Sequence, residues 1–159
     1  MAQPLRSKKT KRKSVKKSKP SYKKTKTRRS PVPSSEIELI RTTGSRKRGG
    51  GPGGETWIVM AEGKRAGIVY INMVNDAVRG LHASFHLFLN QPNQGREIGR
   101  VAYKLGCESS SHDVVYAHMR KSNAASHKAA LHAGFKDATK DDDSQLVLVW
   151  YRTSDVSPC

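Results

Sequence analysis

The 159-residue chain is poor in the residues that build disulfide-rich and membrane proteins. Its only two cysteines, Cys107 and Cys159, form neither a disulfide framework nor a metal motif, so we expect free thiols in a reducing compartment. No stretch approaches the roughly 20 apolar residues of a membrane-spanning helix. Six histidines are scattered, and no pair has zinc-site spacing backed by a second pair, so no metal site is expected.

Acidic residues are absent from residues 1–35, which hold 14 of the 30 Lys and Arg residues. From Arg6 to Ser30 the only sizeable apolar side chains are Val15 and Tyr22, too few to offset the entropy of ordering the chain. We therefore expect a disordered tail over 1–35 and a domain over 36–159. Such a tail suits nucleic acid or a ribosome, because phosphate contacts release counterions. A solubilising arm or a localisation signal is the alternative.

The tail does not resemble a secretory signal, because no apolar segment follows its charges. Lysine far outnumbers arginine in it, which also disfavours an organelle transit peptide. The expected location is the cytoplasm, at the nucleoid or the ribosome, or the nucleus if the source is eukaryotic.

The first half of the domain predicts strands joined by glycine-rich turns. EIELIR (36–41) alternates like a strand, and a glycine-rich loop over 42–54 follows it. That loop lacks the Gly-Lys-Ser/Thr of a phosphate-binding P-loop, so it is interpreted as a connector. The next segment predicts a hairpin that turns at residues 62–64.

The second half alternates strands and helices. A central strand over 83–90 precedes a helix whose apolar residues recur at helical spacing and which Gly106 is expected to end. A buried strand over 113–119 precedes a second helix that stops at Gly134, and a short strand near 135–138 leads to a closing strand over 144–152. The predicted class is α/β with a mixed sheet.

The loop LNQPNQGREIGR (89–100) lies between the central strand and the first helix. Gly95 and Gly99 leave the backbone bare at a helix N-terminus, where free N–H groups and the helix dipole favour anions. Arg96 and Arg100 add positive charge. A pyrophosphate is the natural occupant, although an ordinary tight turn would give the same pattern.

Two linked segments resemble the GCN5-related N-acetyltransferase (GNAT) superfamily, nearest its subgroup acting on protein N-termini. QGREIG (94–99) matches the family's acetyl-CoA loop at Gln94 and Gly99, with Glu97 where the first motif glycine is expected. RKSNAASHKAALHAGF matches its second signature at Asn123, Ser126 and the pair Gly134-Phe135. The specific motifs cover 89–135.

The resemblance implies a mostly antiparallel sheet with a central parallel splay and two main helices, here without the family's usual helices after the first strand. It also implies acetyl-CoA as cofactor, held by Leu87, Leu89, Gln94, Gly95, Arg96, Glu97, Gly99, Arg100, Asn123 and Ser126. Ser126 is the candidate acid or thiol-anchoring group. The central strand carries no acid, so His86 is the candidate base, and Glu97 is a third candidate. Many family members have a tyrosine at the position of Ala130.

These features favour an N-acetyltransferase that modifies an amine of a ribosomal, nucleoid or RNA-associated acceptor, an aminoacylated RNA or a small molecule. The alternative is an inactive GNAT-fold adaptor that binds nucleic acid or a ribosome. Glu97, Ala130 and the missing helices favour the adaptor, whereas the intact pattern from Asn123 to Phe135 favours the enzyme.

Overall fold

A computed structural model describes residues 29–153 and shows a seven-stranded sheet with two helices. The strands are β1 (Ile37–Arg41), β2 (Glu55–Ala61), β3 (Lys64–Asp76), β4 (Gly80–Leu89), β5 (Val114–Met119), β6 (Lys136–Asp137) and β7 (Leu146–Tyr151). The helices are α1 (Ile98–Ser109) and α2 (Ala124–His132), and short 3-10 turns lie at Ser34–Glu36 and Gln91–Asn93.

The strand order β1-β2-β3-β4-β5-β7-β6 places β4 at the centre, as its apolar sequence predicted. All neighbouring strands are antiparallel except β4 and β5. The predicted hairpin between β2 and β3 is confirmed, and its turn residues Glu62 and Gly63 have positive φ angles of 51° and 69°. Two positive φ angles match the twist of a two-residue hairpin turn.

The parallel strands β4 and β5 separate soon after they meet. They pair only at Ala83 with Val115 and at Ser84 with Tyr116, although β4 continues to Leu89. Beyond Ser84, therefore, the β5-facing edge of β4 has no strand partner within residues 29–153. This gap is the predicted splay.

Both helices pack on one face of the sheet, and aromatic side chains join them to it. The Phe85 ring of β4 stacks on Tyr103 of α1 at a centroid distance of 4.8 Å. Phe135, which follows α2, contacts both rings edge to face. The prediction that Gly106 ends α1 is wrong: the helix continues to Ser109, and a Cβ at Gly106 would lie 2.6 Å from the Phe85 ring. Gly106 is inside the helix because β4 lies so close.

The predicted ends of α2 are confirmed. The Asn123 side chain accepts a hydrogen bond from the backbone N–H of Ser126 at 3.2 Å, which caps the first turn. Gly134 follows the last turn with a φ of 94°, a conformation that favours glycine.

Within residues 29–153, the sheet face opposite the helices is uncovered over much of β1 to β4. No helix lies between β1 and β2, and the 42–54 loop instead packs against β2, where the Thr56 hydroxyl donates to the Arg48 carbonyl at 2.7 Å. The side chains of Ile40 and Phe88 remain 46% and 60% exposed on this face. The absence of the family's usual helices was therefore correctly predicted.

Residues 29–35 lie against the domain. The Val32 side chain is buried, and its N–H donates to the Arg96 carbonyl at 3.0 Å. The rest of the basic tail, residues 1–28, lies outside the described residues, so the division at residue 35 stays a prediction. Across 29–153, no helix is long and apolar enough to cross a membrane.

Candidate functional site

A cavity of about 590 Å³ opens between the end of β4, the 90–97 loop, α1 and α2. Nine of the residues predicted from the sequence line it: Leu87, Leu89, Gln94, Gly95, Glu97, Gly99, Arg100, Asn123 and Ser126. Its size is within the range of small-molecule and cofactor sites. Arg96 and His86 are the two predicted residues that do not line it.

The N-terminus of α1 forms one wall of the cavity. No side chain of the described part of the chain caps it, and its first turn contains no acidic residue. Its first N–H groups therefore have no partner in the helix and are available to an anion. A Cβ at Gly99 would lie 3.6 Å from both Leu87 and Ala129, an ordinary contact distance, so the glycine is not required for packing.

Glu97 occupies the position where the family motif has a glycine, and it adopts a glycine-like conformation. Its φ is 62°, and Gly95 two residues earlier has a φ of 72°. The loop thus keeps a left-handed turn without the glycine, at a conformational cost for an L-residue. The Glu97 carboxylate lies 3.3 Å from the Arg100 guanidinium, and both side chains are about half exposed.

Arg96 is directed away from the cavity. Its guanidinium forms two hydrogen bonds with the Glu62 carboxylate, at 2.8 and 2.9 Å, and donates to the Ser30 carbonyl at 3.0 Å. The hydrogen bonds from Arg96 also lower the pKa of Glu62. Arg96 therefore holds the loop and residues 29–33 in place. Among the described residues, the arginine and lysine that line the cavity are Arg100 and Lys128.

Ser126 shares the cavity wall with Tyr103, which no sequence motif had indicated. Burial raises the pKa of the Tyr103 hydroxyl to about 12, and the nearby Ser126 side chain opposes part of that rise. Both residues line the cavity. The spacing of Tyr103 four residues after Gly99 places them on one face of α1, a signal that was available in the sequence.

His86 lies on the opposite face of the sheet from the helices. Its ring stacks on Tyr70 with centroids 4.8 Å apart, and its Nε2 is 3.3 Å from the Ser84 hydroxyl. Burial, and then the nearby His118, lower the pKa of His86. The ring is thus neutral near pH 7, which a general base requires.

Several solved structures share this fold. A domain from Methanocaldococcus jannaschii aligns with a TM-score of 0.54 at 13% identity, over 73% of this chain and 99% of that one. The GNAT domain of S. lividans PAT aligns at 0.51 with 12% identity, over 62% and 61%. The aminoglycoside acetyltransferase AAC(6')-Ib, crystallised with coenzyme A, aligns at 0.51 with 16% identity, over 63% and 67%.

The chain therefore has the GNAT fold, as its motifs predicted. The chain aligns with only 53% and 61% of the length of two further solved structures, so it spans only part of those proteins. No protein-family model and no curated protein matches the sequence.

Proposed function

We propose that the chain is an acetyl-CoA-dependent N-acetyltransferase of the GNAT superfamily. The observation that carries the proposal is a single cavity with two complementary ends. At one end lies the uncapped N-terminus of α1, and at the other lies the unpaired edge of β4 beyond Ser84.

These two ends fit the two halves of the cofactor. The N–H groups of α1 and the Arg100 side chain suit the pyrophosphate, because a helix N-terminus is a preferred anion site. The β4 backbone beyond Phe85 has no strand partner on this edge, so it suits the amide groups of the pantetheine arm, which can bind there as an added strand would. The Leu89 carbonyl is the exception, because it accepts a hydrogen bond from the Gln94 side chain at 3.0 Å. Leu87 and Leu89 supply apolar contacts, and Ala129 allows α2 to lie close.

Bound acetyl-CoA supplies the acetyl group, and the chain's residues control the protons. A thiol has a pKa of about 8.5, far below the value of about 12 for Tyr103. Tyr103 therefore keeps its proton and stabilises a departing thiolate by donating a hydrogen bond, directly or through Ser126. In this proposal Tyr103 has the role of the tyrosine that many family members have at the position of Ala130.

His86 is the proposed base, and it acts from the other side of the splay. An amine that approaches over the uncovered sheet face meets His86, whereas the cofactor occupies the helix side. The distance from the cavity makes proton transfer through a water molecule the natural route. The Ser84 hydroxyl, 3.3 Å from Nε2, orients the ring.

The uncovered face and the basic tail together favour a large acceptor. The face between β1 and β4 lacks the helices that narrow the acceptor site in the family, so a protein or an RNA-bound amine can approach it. Residues 29–33 are held beside the cofactor loop, with Arg29 donating to the Gln91 carbonyl. A tail that binds nucleic acid or a ribosome would therefore bring the acceptor near the cavity.

The second candidate function is an inactive GNAT-fold adaptor for nucleic acid or ribosomes. Two observations favour it: His86 does not line the cavity, and Glu97 places a carboxylate at the proposed anion site. An adaptor would show no acetyl transfer to any amine, and its tail would bind RNA whether or not acetyl-CoA is present.

A series of variants at Gly99 tests the cofactor site by calorimetric titration with acetyl-CoA. Gly99→Asp should weaken binding by about 100-fold, since a carboxylate about 4 Å from a phosphate costs up to about 4 kcal/mol at an effective dielectric constant near 20. Gly99→Asn is the control of equal size without charge, and Gly99→Ala tests contact alone. The fold should survive in all three, because a Cβ at position 99 would make only ordinary contacts, 3.6 Å from Leu87 and Ala129.

If Gly99→Asn and Gly99→Asp lose the same acetyl-CoA affinity, then side-chain size and not charge matters at position 99. That result would contradict the anion-site assignment. If the wild-type protein shows no binding at millimolar acetyl-CoA, both the proposed acetyltransferase activity and the assignment of acetyl-CoA as cofactor are refuted.

A further inference from the structure

A second group of functional side chains lies away from the cavity, on the sheet face opposite the helices. Asp76 ends β3, His82 lies near the start of β4, and His118 lies near the end of β5. One ligand atom from each lies within 4.8 Å of the others. His82 and His118 are 36 positions apart, and no zinc spacing pattern joins the three residues, so the sequence predicted no metal site.

The two imidazoles face each other with the geometry of shared ligands. Their Nε2 atoms are 3.1 Å apart. Two nitrogens bound to one tetrahedral zinc ion at about 2.0–2.1 Å would be roughly 3.4 Å apart, so a shift of a few tenths of an ångström suffices. The same pair without an ion is an imidazole–imidazole hydrogen bond, which is the competing explanation.

The other ring nitrogen of His82 fixes its tautomer. Nδ1 lies 2.8 Å from the Gly80 carbonyl oxygen, so it carries the proton and donates it to that oxygen. Nε2 therefore presents a lone pair toward His118. A ligating histidine typically donates its second N–H to a backbone carbonyl in this way, which orients the ring.

The Asp76 carboxylate is oriented in a similar way. Its Oδ1 accepts hydrogen bonds from the backbone N–H groups of Val78 and Arg79, at 2.9 and 2.6 Å. Its Oδ2 is 3.8 Å from Nε2 of His82 and forms no hydrogen bond within the described residues. One oxygen thus holds the turn, and the other is directed toward the histidines.

The nearby positive charge is largely neutralised. Arg79 is 3.9 Å from Asp76 Oδ2, but its guanidinium pairs with Asp143 at 2.5 Å and donates to the Ala138 carbonyl at 3.3 Å. The Tyr116 ring contacts His82 edge to face and covers one side of the cluster. These contacts hold the hairpin turn and the loop after β6 around the three ligand groups.

We propose that Asp76, His82 and His118 bind one divalent transition-metal ion through Oδ2 and two Nε2 atoms. Imidazole and carboxylate donors suit zinc, iron, nickel and copper. Three protein ligands leave a position for water. The ion would join β3, β4 and β5, and the assignment is independent of the proposed acetyltransferase activity.

The test uses the full-length protein freed of metal by a chelator, titrated with Zn²⁺ in a calorimeter and with Co²⁺ by visible absorption. Wild-type protein should bind one ion. His118→Ala and Asp76→Asn should each weaken binding by at least tenfold. Asp76→Asn is the more conservative variant, because its amide oxygen can still accept the two hydrogen bonds of the turn. His127→Ala and Cys159→Ser serve as controls and should bind as the wild type does.

Thermal unfolding without metal shows whether each variant is folded. An unaltered affinity in folded His118→Ala and Asp76→Asn would overturn the site. So would failure of wild-type protein to bind Zn²⁺ and Co²⁺ at millimolar concentrations, and the pair would then be an imidazole–imidazole hydrogen bond only.

Discussion

Replacing Glu97 by glycine should stabilise the fold. Its φ of 62° is left-handed, and this conformation costs an L-residue roughly 1–2 kcal/mol. Glycine avoids that cost but adds about 0.5–1 kcal/mol of backbone entropy to be lost on folding. The net gain should be about 0.5–1 kcal/mol, which raises the unfolding temperature of a domain of this size by about 2–5 °C.

The same change should strengthen acetyl-CoA binding. Glu97 places a negative charge beside the proposed pyrophosphate site and pairs with Arg100 at 3.3 Å. A charge about 7 Å from a phosphate, in surroundings with an effective dielectric constant near 40, contributes about 1 kcal/mol of repulsion. Its removal should improve affinity about fivefold, and the released Arg100 side chain adds to the gain.

Glu97→Gln separates the two effects. It removes the charge but keeps a side chain in the left-handed turn, so affinity should rise while the unfolding temperature stays close to that of the wild type. Calorimetry and thermal unfolding of the two variants provide the comparison. A lower unfolding temperature in Glu97→Gly, or weaker binding in Glu97→Gln, would refute the reasoning about this loop.

Three further predictions concern catalysis and the tail. Ser126→Ala and Tyr103→Phe should each lower kcat more than acetyl-CoA affinity, as expected for groups that act in the transition state, and steady-state kinetics with calorimetry measures both. If His86 is the base, its neutral form is the active one; the rate should fall as pH drops through a pKa below 6.5, and His86→Ala should abolish that inflection. Deleting residues 1–28, which leaves Val32 in place, should remove RNA binding whose affinity falls linearly with salt on a log–log scale. A salt-independent complex would contradict the electrostatic account of the tail.

The sequence predicted the elements that local signals define. Asn123 and Gly134 bound α2 because capping and left-handed glycine are local features. The apolar pattern placed β4 at the centre. Gly106 was misassigned because a glycine that ends a helix and one that allows a close contact look alike until Phe85 is known to lie beside it.

The site was less predictable where it depends on partners distant in sequence. Arg96 was expected to add charge at the anion site, but Glu62, 34 positions earlier, holds its guanidinium. Tyr103 was missed because its contact with Ser126 requires the packing of α1 against α2. The Asp76, His82 and His118 cluster likewise forms only when three strands assemble.

A crystal structure of the full-length protein with acetyl-CoA tests the central claim most directly. We predict the pyrophosphate on the N–H groups at the start of α1, the pantetheine arm along β4 beyond Ser84, and the thioester within reach of Ser126 and Tyr103. Acetyl-CoA bound elsewhere, or a cavity that stays empty of it at saturating concentration, would contradict the account.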